Sequence, residues 1–115
     1  MPEKPLCWLG SSLEDLRAFP DDARRAAGYQ LGRVQQGLMP NDWAPIPTVG
    51  LGVHEIRIHT GVEHRIFYVA KYEEAVYVVH AFEKRPRHTP QAEIVLARNR
   101  LADLLCRRAQ KQEAP

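Results

Sequence analysis

The sequence predicts an α+β fold in the order β-α-α-β-β-β-α, a mainly antiparallel sheet with a helical pair on one face and a C-terminal helix. Three observations predict it. Residues 53–90 hold three apolar runs, HEIRI, HRIFYVA and VYVVHAFEKR, joined by turns short enough for antiparallel neighbours. Ahead of them, residues 11–38 carry helical spacing broken once, at Phe19-Pro20. Behind them, Thr89-Pro90 starts a segment in which Ile94, Ala97, Leu101, Leu104 and Leu105 recur on one helical face.

Lys4 to Leu9 reads as a short first strand ended by Gly10. Ser11 suits a helix N-cap, with Glu14 completing a capping box. Asp21 and Asp22 open the second helix, where carboxylates complement the positive end of the dipole. Ala23, Ala27, Leu31, Val34 and Leu38 form its apolar face. Gly28 and Gly32 leave a smooth patch suited to close packing on the sheet or to a partner's docking surface. Residues 39–52, MPNDWAPIPTVGLG, read as a loop because prolines and glycines interrupt them throughout. Trp43 within it would seal the core edge or stack on a nucleobase. In the strands, Ile56 and Ile58 share one face and Glu55 and Arg57 the other. Gly61 marks a hairpin tip. His64–Ala70 and Val76–Glu83 are apolar on both faces, as central strands are. The last helix should fray over 110–115.

At 115 residues, with 44% hydrophobic and 26% charged side chains, the chain fits one domain spanning 1–115. No apolar run approaches the roughly 20 residues that cross a bilayer. The N-terminus lacks a signal-peptide core, so a cytoplasmic location is expected, with no membrane partner. Cys7 and Cys106 are then expected to be reduced and buried. The net charge of +2 is modest. Its basic excess lies toward the C-terminal end, where residues 91–115 hold five basic and three acidic groups.

All five histidines, His54, His59, His64, His80 and His88, fall between 53 and 90, together with Arg57, Arg65, Lys71, Lys84, Arg85 and Arg87. Core building alone does not require so many titratable and basic groups. Guanidinium forks suit phosphate oxygens, and Arg57 and Arg65 come from adjacent strands. His80, in an apolar strand, suits a core histidine with a satisfied hydrogen bond. No histidine–cysteine spacing fits zinc, so neither metal nor cofactor is expected.

Glu55-Ile56-Arg57, Arg65-Ile66-Phe67-Tyr68 and His80-Ala81-Phe82-Glu83-Lys84-Arg85 running into Thr89-Pro90 resemble, in order and spacing, the RelE/ParE superfamily of toxins from type II toxin–antitoxin modules. The resemblance runs from Leu6 to about Leu105 and is nearest the phage-derived, HigB-like branch. It implies a RelE-like fold and a ribosome-dependent mRNA endoribonuclease (an mRNA interferase) that inhibits translation. The substrate's own 2′-hydroxyl makes the cut, without metal. Implied partners are the ribosome and mRNA, a helix-turn-helix antitoxin, and operator DNA through that antitoxin.

Carried over by motif, Arg57, Arg65, Lys84 and Arg85 are the catalytic and RNA-binding candidates. Arg87 joins them for RNA binding, and His88 as a proton carrier, with His54 and His64 behind it. Two departures stand out. Glu55 occupies a position where RelE proper carries lysine, and Gln91, Ala92 and Glu93 lie where its catalytic tyrosine belongs. Two alternatives therefore stay open: a ParE-like DNA gyrase inhibitor, and a catalytically degenerate, antitoxin-binding corepressor. Truncating Arg57 or Arg65 to alanine is expected to abolish toxicity with little change in stability.

Overall fold

The structure, a computed structural model, describes residues 3–85 and 90–113. The elements are β1 (Leu6–Trp8), α1 (Ser12–Arg17), α2 (Asp21–Gln35), β2 (Trp43–Pro45), β3 (Val53–Thr60), β4 (Val62–Val69), β5 (Val76–Lys84) and α3 (Gln91–Glu113). They build a five-stranded sheet in the order β1-β5-β4-β3-β2. The pairings β2–β3, β3–β4 and β4–β5 are antiparallel, and β1 runs parallel to β5. The α+β order read from the sequence holds, and the layout is RelE-like. No helix among the described residues is long and apolar enough to cross a membrane.

Strand alternation divides the core in two. Ile56, Ile58, Ile66, Tyr68, Val76, Val78 and Ala81 face α1 and α2, meeting Leu16, Phe19, Ala23, Ala27, Leu31 and Val34. On the opposite face Val53, Phe67, Val69, Tyr77, Val79 and Phe82 meet Ala97, Leu101 and Leu104 of α3. Two runs of residues spaced by two thus serve two separate helical layers. The central position of β4 and the two-sided burial of β5 follow from their lack of polar alternation.

Register breaks once. Phe67 pairs with His80 but Tyr68 with Val78, leaving Val79 as the extra residue of a bulge. Arg100 of α3 fastens this point, donating to the Val79 carbonyl at 3.0 Å and to Ser11 Oγ at 2.8 Å. His80 is buried there, with Nε2 3.3 Å from Glu93 Oε1. It is the satisfied core histidine expected.

Several local expectations need correction. The 39–52 stretch is not wholly loop, because Trp43–Pro45 adds an edge strand, and an edge tolerates proline. Ser11 makes no capping bond. Its hydroxyl donates instead to Asp15 Oδ2 at 2.8 Å. The second helix stops at Gln35, where Gly37 turns the chain at φ 85°, so Leu38 leaves the stripe and is exposed. Gly28 and Gly32 face open space rather than the sheet. Cys7 and Cys106 are free thiols as expected, but both are exposed. Leu105 is exposed too, and α3 continues through residue 113 instead of fraying from 110. The capping role given to Thr89 lies outside the described residues.

Candidate functional site

The β3–β4 hairpin turns at Gly61, with φ 94°, and pairs Thr60 directly with Val62. Only a residue without Cβ takes that backbone conformation freely. The tight turn fixes the register so that Arg57 lies opposite Arg65, and His59 opposite Glu63. Spacing by two then places Glu55, Arg57 and His59 of β3 on one face with Glu63 and Arg65 of β4. Lys84 joins the same face from β5, opposite Glu63.

Two arginines directly opposite one another repel unless an anion separates them. Glu55 is that anion: its Oε1 accepts from Arg65 Nε at 3.2 Å, and its Oε2 from Arg57 Nε at 3.4 Å. The outer guanidinium nitrogens have further partners. Arg65 Nη1 lies 3.3 Å from Glu63 Oε1, and Arg57 Nη1 lies 3.8 Å from Asp42 Oδ1. Asp42 arrives just ahead of β2, where its carbonyl accepts from Arg57 N–H at 2.9 Å. His59 completes the figure, with Nε2 2.5 Å from Asp42 Oδ2 and Nδ1 2.7 Å from Glu63 Oε2. The six groups form a closed ring of alternating sign: Glu55, Arg57, Asp42, His59, Glu63, Arg65 and back to Glu55.

Burial grades the ring. The Arg65 and Glu55 side chains are 8% and 12% exposed, whereas Arg57 is 40% and His59 50% exposed. Arg65 is thus a buried arginine, flanked on the β5 side by its pair partner Phe82. The hydrogen bonds to Asp42 and then Glu63 raise the His59 pKa above its usual 6.5. The Glu63 carboxyl is lowered, chiefly by its bond to His59. An imidazole flanked by two carboxylates donates from both nitrogens, which is the protonated form.

Of the residues singled out in the sequence, the structure brings Arg57, Arg65 and Lys84 together on one face. Arg85 follows β5 directly and is exposed. Arg87 and His88 lie outside the described residues. His54 is on the opposite face, where its ring meets Trp43 at 4.7 Å and the Tyr68 hydroxyl lies 3.4 Å away. The Trp43 indole therefore caps the sheet edge against a histidine. His64 is buried under Phe19, with ring centroids 4.3 Å apart. Sequence reasoning missed His59, Asp42 and Glu63. The pattern Glu-x-Arg-x-His on one strand, with His59 and Glu63 symmetric about Gly61, carried the signal for two of them. Asp42 left no such mark, because its partners depend on β2.

A cavity of about 350 Å³ opens on the other side of β5, lined by Asp15, Phe19, His64, His80, Glu83 and Glu93 among others. Its carboxylates outnumber its histidines, and burial foremost lowers the His80 pKa, so it is poorly suited to an anion. The hairpin face sets Arg57, Arg65 and Lys84, joined by His59, against the three carboxylates of the ring. No grouping of His, Cys, Asp and Glu among the described residues could hold a metal ion.

No curated protein matches the chain. The model of the family described as phage-derived protein Gp49-like (DUF891) matches residues 14–102, from α1 through most of α3 and across every residue of the charged ring. The chain belongs to this Gp49-like family of phage-derived proteins.

Proposed function

We propose that the protein is the toxin of a type II toxin–antitoxin module, of the HigB-like branch, acting as a ribosome-dependent mRNA endoribonuclease in the cytoplasm. Its partners in this reading are the ribosome, mRNA and a co-expressed helix-turn-helix antitoxin. The Gp49-like family is associated with RelE-like toxins, which supports the module. The observation that carries the activity is the register pair Arg57–Arg65, held by both Nε atoms on one carboxylate, with Lys84 beside it on the same sheet face.

Cleavage by a 2′-hydroxyl needs cations on the phosphate as it gains charge, a proton acceptor and a proton donor. Guanidinium groups anchored by Nε keep their outer nitrogens for phosphate oxygens. Asp42, which holds the outer nitrogen of Arg57 in the free protein, is the carboxylate an RNA phosphate would displace. Arg57 and Lys84 contact RNA directly in this reading, and Arg85 and Arg87 are further RNA-binding candidates by sequence. Arg65 holds the buried end of the pair.

Expression of the protein alone in bacteria, followed by mapping of mRNA 5′ ends, tests the proposal. Codon-phased cuts that require translation support it. Halted replication with intact mRNA refutes it and transfers the fold to gyrase inhibition. Absence of any growth effect refutes it in favour of a degenerate corepressor.

A further inference from the structure

We infer that His59 is the proton donor of this site and Glu55 its proton acceptor. The inference rests on the ribonuclease reading above and extends it to the two groups that reading leaves unassigned. Both lie in the ring, on β3, four residues apart and on one face. Between them stands Arg57, whose guanidinium bridges Glu55 and the Asp42 carboxylate that also holds His59.

The geometry separates the two roles. Glu55 gives one oxygen to each arginine Nε, yet a carboxylate has about four acceptor positions, so lone pairs remain for a hydroxyl proton. His59 is half exposed, whereas His80, which shares this sheet face on β5, is buried against α3. Glu63 holds Nδ1 at 2.7 Å from the strand opposite, fixing the ring while Nε2–H points outward to Asp42. That arrangement, a carboxylate behind one nitrogen and a proton on the other, orients an imidazolium for donation. Asp42 belongs to the segment ahead of an edge strand, so its place on Nε2 is the one a substrate oxygen can take. Glu63 is a positioning residue: it acts through His59 and needs no contact with RNA.

In the reaction, the 2′-hydroxyl proton passes to Glu55 as the 2′-oxygen bonds to phosphorus. The bond from phosphorus to the 5′-oxygen breaks, its electron pair stays on that oxygen, and the proton from His59 Nε2 joins it. The products are a 2′,3′-cyclic phosphate and a 5′-hydroxyl. Protons balance, and no other reactant is required.

The charges facing His59 are Asp42 ahead of β2, Glu55 and Arg57 on β3, Glu63 and Arg65 on β4, and Lys84 on β5. The pH dependence follows from them. His59 must be protonated to donate, so activity falls as pH rises through its raised pKa. Removing the Glu63 charge lowers that pKa and moves the alkaline limb to lower pH.

The test uses the purified full chain, bacterial ribosomes and a short mRNA placed across the mapped cut. A second mRNA carries sulfur in place of the bridging 5′-oxygen, a leaving group that needs no proton. Expected for His59→Gln is a loss of about a hundredfold or more on normal mRNA, with unchanged KM, and recovery to near the wild-type rate on the sulfur substrate. Glu55→Gln loses comparably and is not rescued. Glu63→Gln retains activity with its alkaline limb displaced downward, a readout that stands even if the His59 variant folds poorly. His88→Ala, run in parallel, shows no selective rescue.

If wild-type protein cuts nothing, the functional reading itself falls, and this inference with it. If wild type cuts but His59→Gln keeps its rate, or loses it without rescue by sulfur, the function stands and the inference is overturned. An unmoved alkaline limb in Glu63→Gln, or rescue at His88→Ala, overturns it equally.

Discussion

Arg57 and Arg65 sit opposite one another and hold the same carboxylate, yet their truncations should differ sharply in cost. Arg65→Ala removes an 8% exposed side chain and leaves Glu55, 12% exposed, with one partner in place of two. Removing one member of a buried ion pair costs about 3 kcal/mol at the lower end of the usual range. Arg57 is 40% exposed and Asp42 43%, so solvent screens their attraction, and Arg57→Ala should cost no more than about 1 kcal/mol. For a domain of this size, about 1 kcal/mol moves Tm by roughly 4 °C. The expected result is a fall of roughly 10 °C for Arg65→Ala and less than about 5 °C for Arg57→Ala, read by thermal melts and checked by urea unfolding. For Arg65 this revises the sequence-based expectation of little change in stability. Equal shifts for the two variants, or an Arg65→Ala protein within about 1 kcal/mol of wild type, would refute the burial argument. Loss of toxicity in Arg65→Ala is therefore interpretable only at temperatures where that variant is folded.

Other outcomes follow from single contacts. The His80 pKa is lowered, so its contribution to stability is present above the unfolded value of 6.5 and lost as pH falls toward its folded pKa. His80→Gln should flatten the rise in urea stability between about pH 5 and pH 7; an unchanged slope argues against a neutral, buried ring. Arg100→Ala should cost about 2 kcal/mol by leaving the Val79 carbonyl without its guanidinium donor, measured by urea unfolding. A change below about 0.5 kcal/mol would mean that solvent replaces the guanidinium there. Cys7 and Cys106 are exposed, so a colourimetric thiol reagent should titrate both in native protein as fast as in urea. Slow or partial reaction would return them to the core.

What the sequence revealed tracks what is encoded locally. The antiparallel run of β3, β4 and β5 and the two-sided burial of the last two were readable because short turns and apolar runs report them directly. The opposition of Arg57 and Arg65 was readable because Gly61 fixes one tight turn. Burial of Arg65 was not, since it depends on Phe82, which only the β4–β5 register sets opposite it. The exposure of both cysteines was also hidden: Cys7 lies on a three-residue strand whose neighbours Leu6 and Trp8 pack toward the core. A short strand at a sheet margin buries one side only. The helical reading overran at Leu38, where an apolar residue fell in phase after the helix had ended. Asp42 escaped notice because a proline-rich segment gave no sign of pairing, and only that pairing brings its carboxylate to Arg57.

The charged ring also bears on how the chain finds its fold. All six members lie within residues 42–65, so closing the ring encloses a short stretch of chain and costs little entropy. A slip of one residue between β3 and β4 would turn Arg57 and His59 toward the apolar layer beneath α1 and α2. It would also break the two contacts that cross from β3 to β4, Glu55 with Arg65 and His59 with Glu63. The misaligned hairpin is thus penalised by its charges as well as by its apolar face. Charge matching at the hairpin tip therefore favours the native alignment, and the sheet's register is backed by the part of the molecule proposed to meet RNA.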